Sequence, residues 1–234
     1  MTNPLRTLQE YGQSVWLDFL SRDLLRSGEL KRLIAEDGVR GMTSNPSIFE
    51  KAIGHGEDYD AQIAELEAKG DFDPGTLFEQ LAITDIQNAA DILRPVYDQT
   101  QGRDGFVSIE VSPYLAMQTD ATIEEARRLW RAIKRDNLMV KIPATQPGLP
   151  AIRQMTAEGV NINITLLFAQ KVYADVAEAY ISGLGEYVAK GGDPHKVASV
   201  ASFFVSRIDN LVDEALDKKI AGAVDPAEKT RLKG

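Results

Sequence analysis

Apolar runs of strand length alternate with segments of helical period along the whole chain. Ser14–Leu20, Val39–Asn45, Phe106–Pro113, Leu138–Thr145, Asn161–Phe168 and Val197–Val205 read as strands. Between the first two, Leu24, Leu25, Leu30 and Leu33 predict a helix over Leu24–Glu36, closed by Gly38. Ser47-Ile48-Phe49-Glu50 and Thr76-Leu77-Phe78-Glu79 have capping-box spacing. The second opens onto Ile83, Ile86, Ala90 and Leu93 at helical intervals, until Pro95. Thr122-Ile123-Glu124-Glu125 predicts the start of a helix running to about Lys134. Further helices are expected over Pro150–Glu158, Lys171–Lys190 and Asn210–Lys219, with helical text again near 228–234. Strand followed by helix, six times over, predicts a parallel α/β architecture, either an open doubly wound sheet or a (β/α)8 barrel.

The strands themselves separate these two. Parallel strands covered on both faces read as unbroken Val/Ile/Leu runs. Here Asn161, Asn163 and Thr165 alternate with Ile162, Ile164 and Leu166, and Ser108, Glu110 and Ser112 share one face. Asp18 shares a face with Trp16, and Asn45 with Thr43. Successive side chains point to opposite faces. One face is therefore apolar, and the other gathers Asp18, Thr43, Asn45, Glu110, Lys141, Asn163, Thr165 and Ser202. An open sheet with helices on both sides would bury these groups unpaired. A barrel interior collects them about one axis, near the C-terminal mouth where barrel active sites lie. The expected fold is a (β/α)8 barrel of TIM type with about six of its eight β/α units present, as a single domain over 1–234, incomplete at its C-terminus. Such a barrel leaves two open sheet edges, so the chain is expected to be either a fragment of a longer protein or completed by another copy or another polypeptide.

Lys141 stands out on the polar face, inside the apolar run Leu138-Met139-Val140-Lys141-Ile142-Pro143. Burying an ammonium is costly, so a lysine there is paired, neutral or chemically used. A neutral amine attacks carbonyls and forms a Schiff base. That chemistry needs proton carriers, and Glu110 and Asp18 are carboxylates on the same face. Thr165 can hold a water, and Asn45 and Asn163 can hydrogen-bond substrate hydroxyls. Each residue also has a plainer use: a structural Lys141–Glu110 ion pair, capping of strand ends by Asp18 and Asn45, a satisfied core amide at Asn163. Arg207, just past the sixth strand in Ser202-Phe203-Phe204-Val205-Ser206-Arg207, suits a phosphate, or else an ion pair with Asp209 or Asp213.

Charge and composition narrow the classes. A net charge of −9, from 26 basic and 35 acidic side chains, argues against a nucleic-acid binder but leaves room for small phosphorylated substrates. With no cysteine, thiol nucleophiles and thiolate metal sites are excluded. His55 and His195 lie in Gly/Asp-rich loop text and read as solvated loop residues, so no metal is expected. No apolar stretch approaches a membrane span, and the N-terminus lacks a signal-like apolar region, so a cytoplasmic location is expected.

The segments Gly41–Phe49, Val107–Val111, Val140–Thr145, Asn161–Phe168 and Ser202–Asp209 together resemble transaldolase, in the family's order and across nearly the whole chain. The wording Ser-Asn-Pro-Ser-Ile-Phe-Glu and Ser-Ile-Glu-Val-Ser-Pro is similar to the longer bacterial subgroup, some of whose members are fused to glucose-6-phosphate isomerase. The resemblance implies a class I aldol mechanism without metal or cofactor. In it Lys141 is the Schiff-base lysine, Asp18 takes the C4-hydroxyl proton, and Glu110 and Thr165 handle protons and water. Asn45, Asn163, Thr43 and Ser202 contact the substrate, and Arg207 binds its phosphate. Phe204, in place of a tyrosine, implies transfer of the dihydroxyacetone unit rather than its release. Family members are longer than this chain. Two rival readings stand beside this one: a free aldolase of the same superfamily, and a non-catalytic barrel fragment acting through association, including as a homo-oligomer.

Overall fold

The computed structural model describes residues 3–54 and 57–233, so His55 lies outside the described residues. Six parallel strands, β1 (Val15–Leu17), β2 (Val39–Thr43), β3 (Val107–Glu110), β4 (Leu138–Pro143), β5 (Ile162–Leu167) and β6 (Ser199–Phe203), form one sheet in the order β1-β2-β3-β4-β5-β6. All five pairings are parallel. A doubly wound sheet reverses its strand order at a switch point. This order runs without reversal, which excludes that alternative.

The sheet is curled. Asn163 on β5 donates through Nδ2 to Ser108 Oγ on β3 at 3.0 Å. Strands two apart in a flat sheet lie about 9.5 Å from each other, so the concave side brings these side chains together. A cavity of about 390 Å3 is lined both by Ser14 and Trp16 of the first-strand segment and by Val200 and Ser202 of β6. The outermost strands thus face one void, and the six strands make a half-barrel. Each of β1 and β6 keeps one edge unpaired among the described residues.

Among the described residues eleven α-helices accompany the strands: α1 (Pro4–Thr7), α2 (Arg22–Arg26), α3 (Glu29–Arg32), α4 (Pro46–Gly54), α5 (Asp60–Glu67), α6 (Pro74–Gln99), α7 (Thr119–Ile133), α8 (Gly148–Ala157), α9 (Gln170–Ala189), α10 (Val205–Gly222) and α11 (Pro226–Lys233). The apolar face of the sheet packs on them. Val107, Ile109, Val140, Ile142, Ile162 and Ile164 share one buried cluster with Ile86 and Leu93 of α6, Leu129 of α7 and Ile152 of α8. Arg22 and Asp85 make a buried ion pair at 2.9 Å that ties α2 to α6, and Tyr59 donates to the second Asp85 oxygen at 2.7 Å.

Several local expectations are corrected. The helix expected over Leu24–Glu36 is three pieces, α2, α3 and a π-helical turn over Leu33–Asp37. Gly28, at φ +83°, takes the left-handed conformation that glycine adopts freely, and this breaks the helix. Pro95 does not end α6, which continues to Gln99. The lost N–H costs one hydrogen bond, while Val96 beyond it stays buried in the core. The capping boxes lie inside helices that start earlier. Asn45 Oδ1 accepts from the Ile48 N–H at 3.0 Å, with Pro46 at the first helical position. Asp73 caps α6 ahead of Pro74. A polar cap followed by proline is the stronger start signal. Thr122 is buried within α7 and donates to the Leu115 carbonyl at 2.9 Å.

Candidate active site

Strand register builds the centre of the site. Glu110 of β3 pairs with Lys141 of β4, and Lys141 with Asn163 of β5, so the three form one row across the concave face. Lys141 is only 5% exposed. Its Nζ lies 3.4 Å from Glu110 Oε2 and donates to the Ser44 carbonyl at 3.4 Å. Both distances are long for hydrogen bonds, so the amine is neighboured but not clamped.

Burial pushes the Glu110 carboxyl above the usual carboxylate range. The Lys141 ammonium opposes that shift, and the negative charge of Asp18 adds to it. Glu110 is therefore suited to hold and pass a proton beside the amine. Asp18 is exposed at the mouth, where its Oδ1 accepts from Thr43 Oγ1 at 2.6 Å. Strand alternation thus brings Asp18, Thr43, Glu110 and Lys141 to one end of the concave face.

Asn163 is fully buried and both ends of its amide are used. Nδ2 donates to Ser108 Oγ, and Oδ1 accepts from Ser202 Oγ at 2.8 Å. A polar chain thus runs from β6 to β3 across the floor. Thr165 is buried two positions along β5 on the same face, opposite Pro143 in register. Below this floor, Trp16 Nε1 donates to Asp104 Oδ1 at 3.1 Å. A Cβ at Gly41 would stand 2.3 Å from Trp16 Cε2, so only glycine fits under that ring.

Asn45 spends its side-chain oxygen on capping α4. It stands with Glu110 at the wall of a second cavity of about 380 Å3 between α4, α6 and α7. Phe204 and Arg207 are joined to each other at the C-terminal end of β6. Phe204 stacks on Phe168 with ring centroids 5.2 Å apart, and the Arg207 guanidinium lies 4.5 Å from the Phe204 ring centroid. Among the described residues Arg207 makes no ion pair with Asp209 or Asp213, so the surface-pair alternative is not formed. His195 is exposed in a short turn, and no group of histidine and acidic residues among those described could hold a metal ion.

Two participants were absent from the expected set. Ser108 shares the face of Glu110 and receives the Asn163 amide, and alternation alone identifies it. Ser44 acts through its main-chain carbonyl toward Lys141 while its hydroxyl donates to the Ser108 carbonyl at 2.7 Å. A carbonyl carries no residue-type signal, so sequence reading had no means of finding it.

The concave face thus sets a buried amine beside a carboxyl whose proton affinity burial raises, ringed by amide and hydroxyl groups. The family model "Transaldolase/Fructose-6-phosphate aldolase" matches residues 15–232. Over 223 residues the chain is 51% identical to "Transaldolase 2" of a Nostoc strain, covering 95% of this chain and 58% of that protein. It is 49% identical over 232 residues to "Transaldolase" of Trichodesmium erythraeum, covering 99% and 61%. Against "Transaldolase" of Mycobacterium marinum the identity is 47% over 233 residues, covering 99% and 61%. The chain spans about three-fifths of the length of these curated relatives. The match over nearly every described strand and helix places it by descent: the chain belongs to the transaldolase/fructose-6-phosphate aldolase family.

Proposed function

We propose that the protein is a transaldolase that carries a dihydroxyacetone unit on Lys141. The observation that carries this reading is the buried Lys141 amine 3.4 Å from the Glu110 carboxyl, in a chain of this family. In this mechanism the Lys141 amine, having given up a proton, adds to the C2 carbonyl of fructose 6-phosphate or sedoheptulose 7-phosphate. Glu110, and a water held by Thr165, give and take the protons that turn the carbinolamine into an imine and release one water. Asp18 then takes the C4-hydroxyl proton, the C3–C4 bond breaks, and the aldose phosphate leaves. The freed electron pair is held as an enamine across C3, C2 and the Lys141 nitrogen. An incoming glyceraldehyde 3-phosphate or erythrose 4-phosphate is attacked by C3, Asp18 returns its proton to the new hydroxyl, and hydrolysis frees Lys141.

Asn163, Ser202, Thr43 and Asn45 hold the three-carbon unit, and Arg207 binds the substrate phosphate as a bidentate donor. Phe204 offers no hydroxyl to order water, which protects the enamine for transfer and favours transferase over free aldolase. The pathway that fits is the non-oxidative pentose phosphate pathway, in the cytoplasm. No helix among the described residues is long and apolar enough to cross a membrane, which is compatible with that location. The unpaired edges of β1 and β6 support the further reading that more polypeptide completes an eight-unit barrel.

The test is a transfer assay with fructose 6-phosphate as donor and erythrose 4-phosphate as acceptor. Sedoheptulose 7-phosphate formed only when the acceptor is present supports the proposal. Free dihydroxyacetone formed without acceptor contradicts transfer and favours the aldolase.

A further inference from the structure

β5 does not end as a regular strand. Its register against β6 shifts between Ile164 and Leu167, and Leu166 between them takes φ +63°. Side chains other than glycine rarely adopt that conformation. Leu166 gains little from it, because its residue is 42% exposed. Bulges of this kind re-aim the residues that follow them. Here Leu167 pairs with Phe203, its carbonyl accepts from the Phe204 N–H at 3.0 Å, and Phe168 comes out 14° from parallel with the Phe204 ring. Phe168 is itself 45% exposed, so core packing does not account for it. No step of the proposed mechanism uses Leu166 or Phe168.

Phe204 is the shared member of this cluster. It meets Phe168 on one contact and the Arg207 guanidinium on the other. An exposed arginine without an ion pair samples many rotamers. Contact with an aromatic face restrains the guanidinium plane and leaves its edge N–H groups free to fork onto an anion. Fixing a binding group in advance lowers the ordering cost of ligand binding.

We propose that Phe168, presented by the Leu166 bulge, is a positioning residue that holds the Phe204 ring and through it sets the phosphate-binding geometry of Arg207. This rests on the reading of Arg207 as the phosphate contact. Inorganic phosphate, titrated into the whole chain and followed by 31P NMR, tests it. Phe168→Leu is expected to weaken phosphate binding about fivefold at an unchanged thermal midpoint, the size of one aromatic-pair contact. Phe168→Tyr keeps the ring and is expected to restore affinity to within about twofold of the parent. If Phe168→Leu does not fold, Phe168→Met makes the same comparison. Unchanged phosphate affinity in the non-aromatic variant overturns the proposal, and so does failure of Phe168→Tyr to restore it. Arg207→Gln separates the two layers. Lost phosphate binding in Arg207→Gln with parental binding in Phe168→Leu sinks the positioning role alone. Parental binding in Arg207→Gln, or no binding by the parent chain, removes the Arg207 reading and the proposal with it.

Discussion

Glu110 and Lys141 are register partners on adjacent parallel strands, and Glu110 Oε2 lies 3.4 Å from Lys141 Nζ on the concave face of the half-barrel. Burial, with the nearby Asp18 charge, raises the Glu110 carboxyl above its ordinary range against the opposing effect of Lys141. The folded chain therefore holds this proton at pH values where the unfolded chain has released it. Stability linked to Glu110 is fully present below the ordinary carboxylate range and is lost as pH rises through the folded value. Glu110→Gln cannot titrate and removes this dependence. Urea unfolding of both proteins across the acidic range is expected to show the parent losing stability relative to Glu110→Gln as pH rises. A constant difference, or one of opposite slope, would contradict the assignment.

Asn163 links three strands through Ser108 and Ser202. Asn163→Ala leaves two hydroxyls without that partner and is expected to cost about 1–3 kcal/mol, as for other buried hydrogen-bonded groups. Ser202→Ala removes one link and is expected to cost less. Chemical denaturation measures both. Equal losses would mean that the amide is not the centre of the network.

Gly41 gives way to the Trp16 ring. Gly41→Ala is expected to destabilise by about 1–3 kcal/mol through overpacking. In a Trp16→Ala background the same substitution is expected to cost almost nothing. A double-mutant cycle checks this, and additive losses would show that the ring is not the obstacle.

Asp85 answers the buried guanidinium of Arg22 and the Tyr59 hydroxyl. Asp85→Ala leaves that buried cation without a carboxylate, with only the neutral Gln62 side chain and the Asp58 carbonyl as acceptors, and is expected to cost about 3 kcal/mol. Thermal unfolding measures the loss. A change near zero would mean that the pair is replaceable packing.

The alternation of polar and apolar residues made much of this legible. Asn161, Asn163 and Thr165 against Ile162 and Ile164 implied one polar and one apolar face, and the register aligns Asn163 with Lys141 and Glu110 as that pattern requires. Helix starts were less legible, because Asn45 and Asp73 outcompete Ser47 and Thr76 through the prolines that follow them. The break at Gly28 and the bulge at Leu166 arise from backbone conformation. Leucine carries no sign of a positive φ, so the stacking of Phe168 on Phe204 could not be foreseen. The Ser44 carbonyl contact is likewise invisible in residue type.

The central claim is that Lys141 forms the covalent intermediate. The most direct measurement is incubation with fructose 6-phosphate, reduction with borohydride, and mapping of the product by mass spectrometry, with Lys141→Met as control. The account expects a reduced three-carbon adduct on Lys141 and none in Lys141→Met. An adduct on another lysine, or equal labelling of the two proteins, would contradict it.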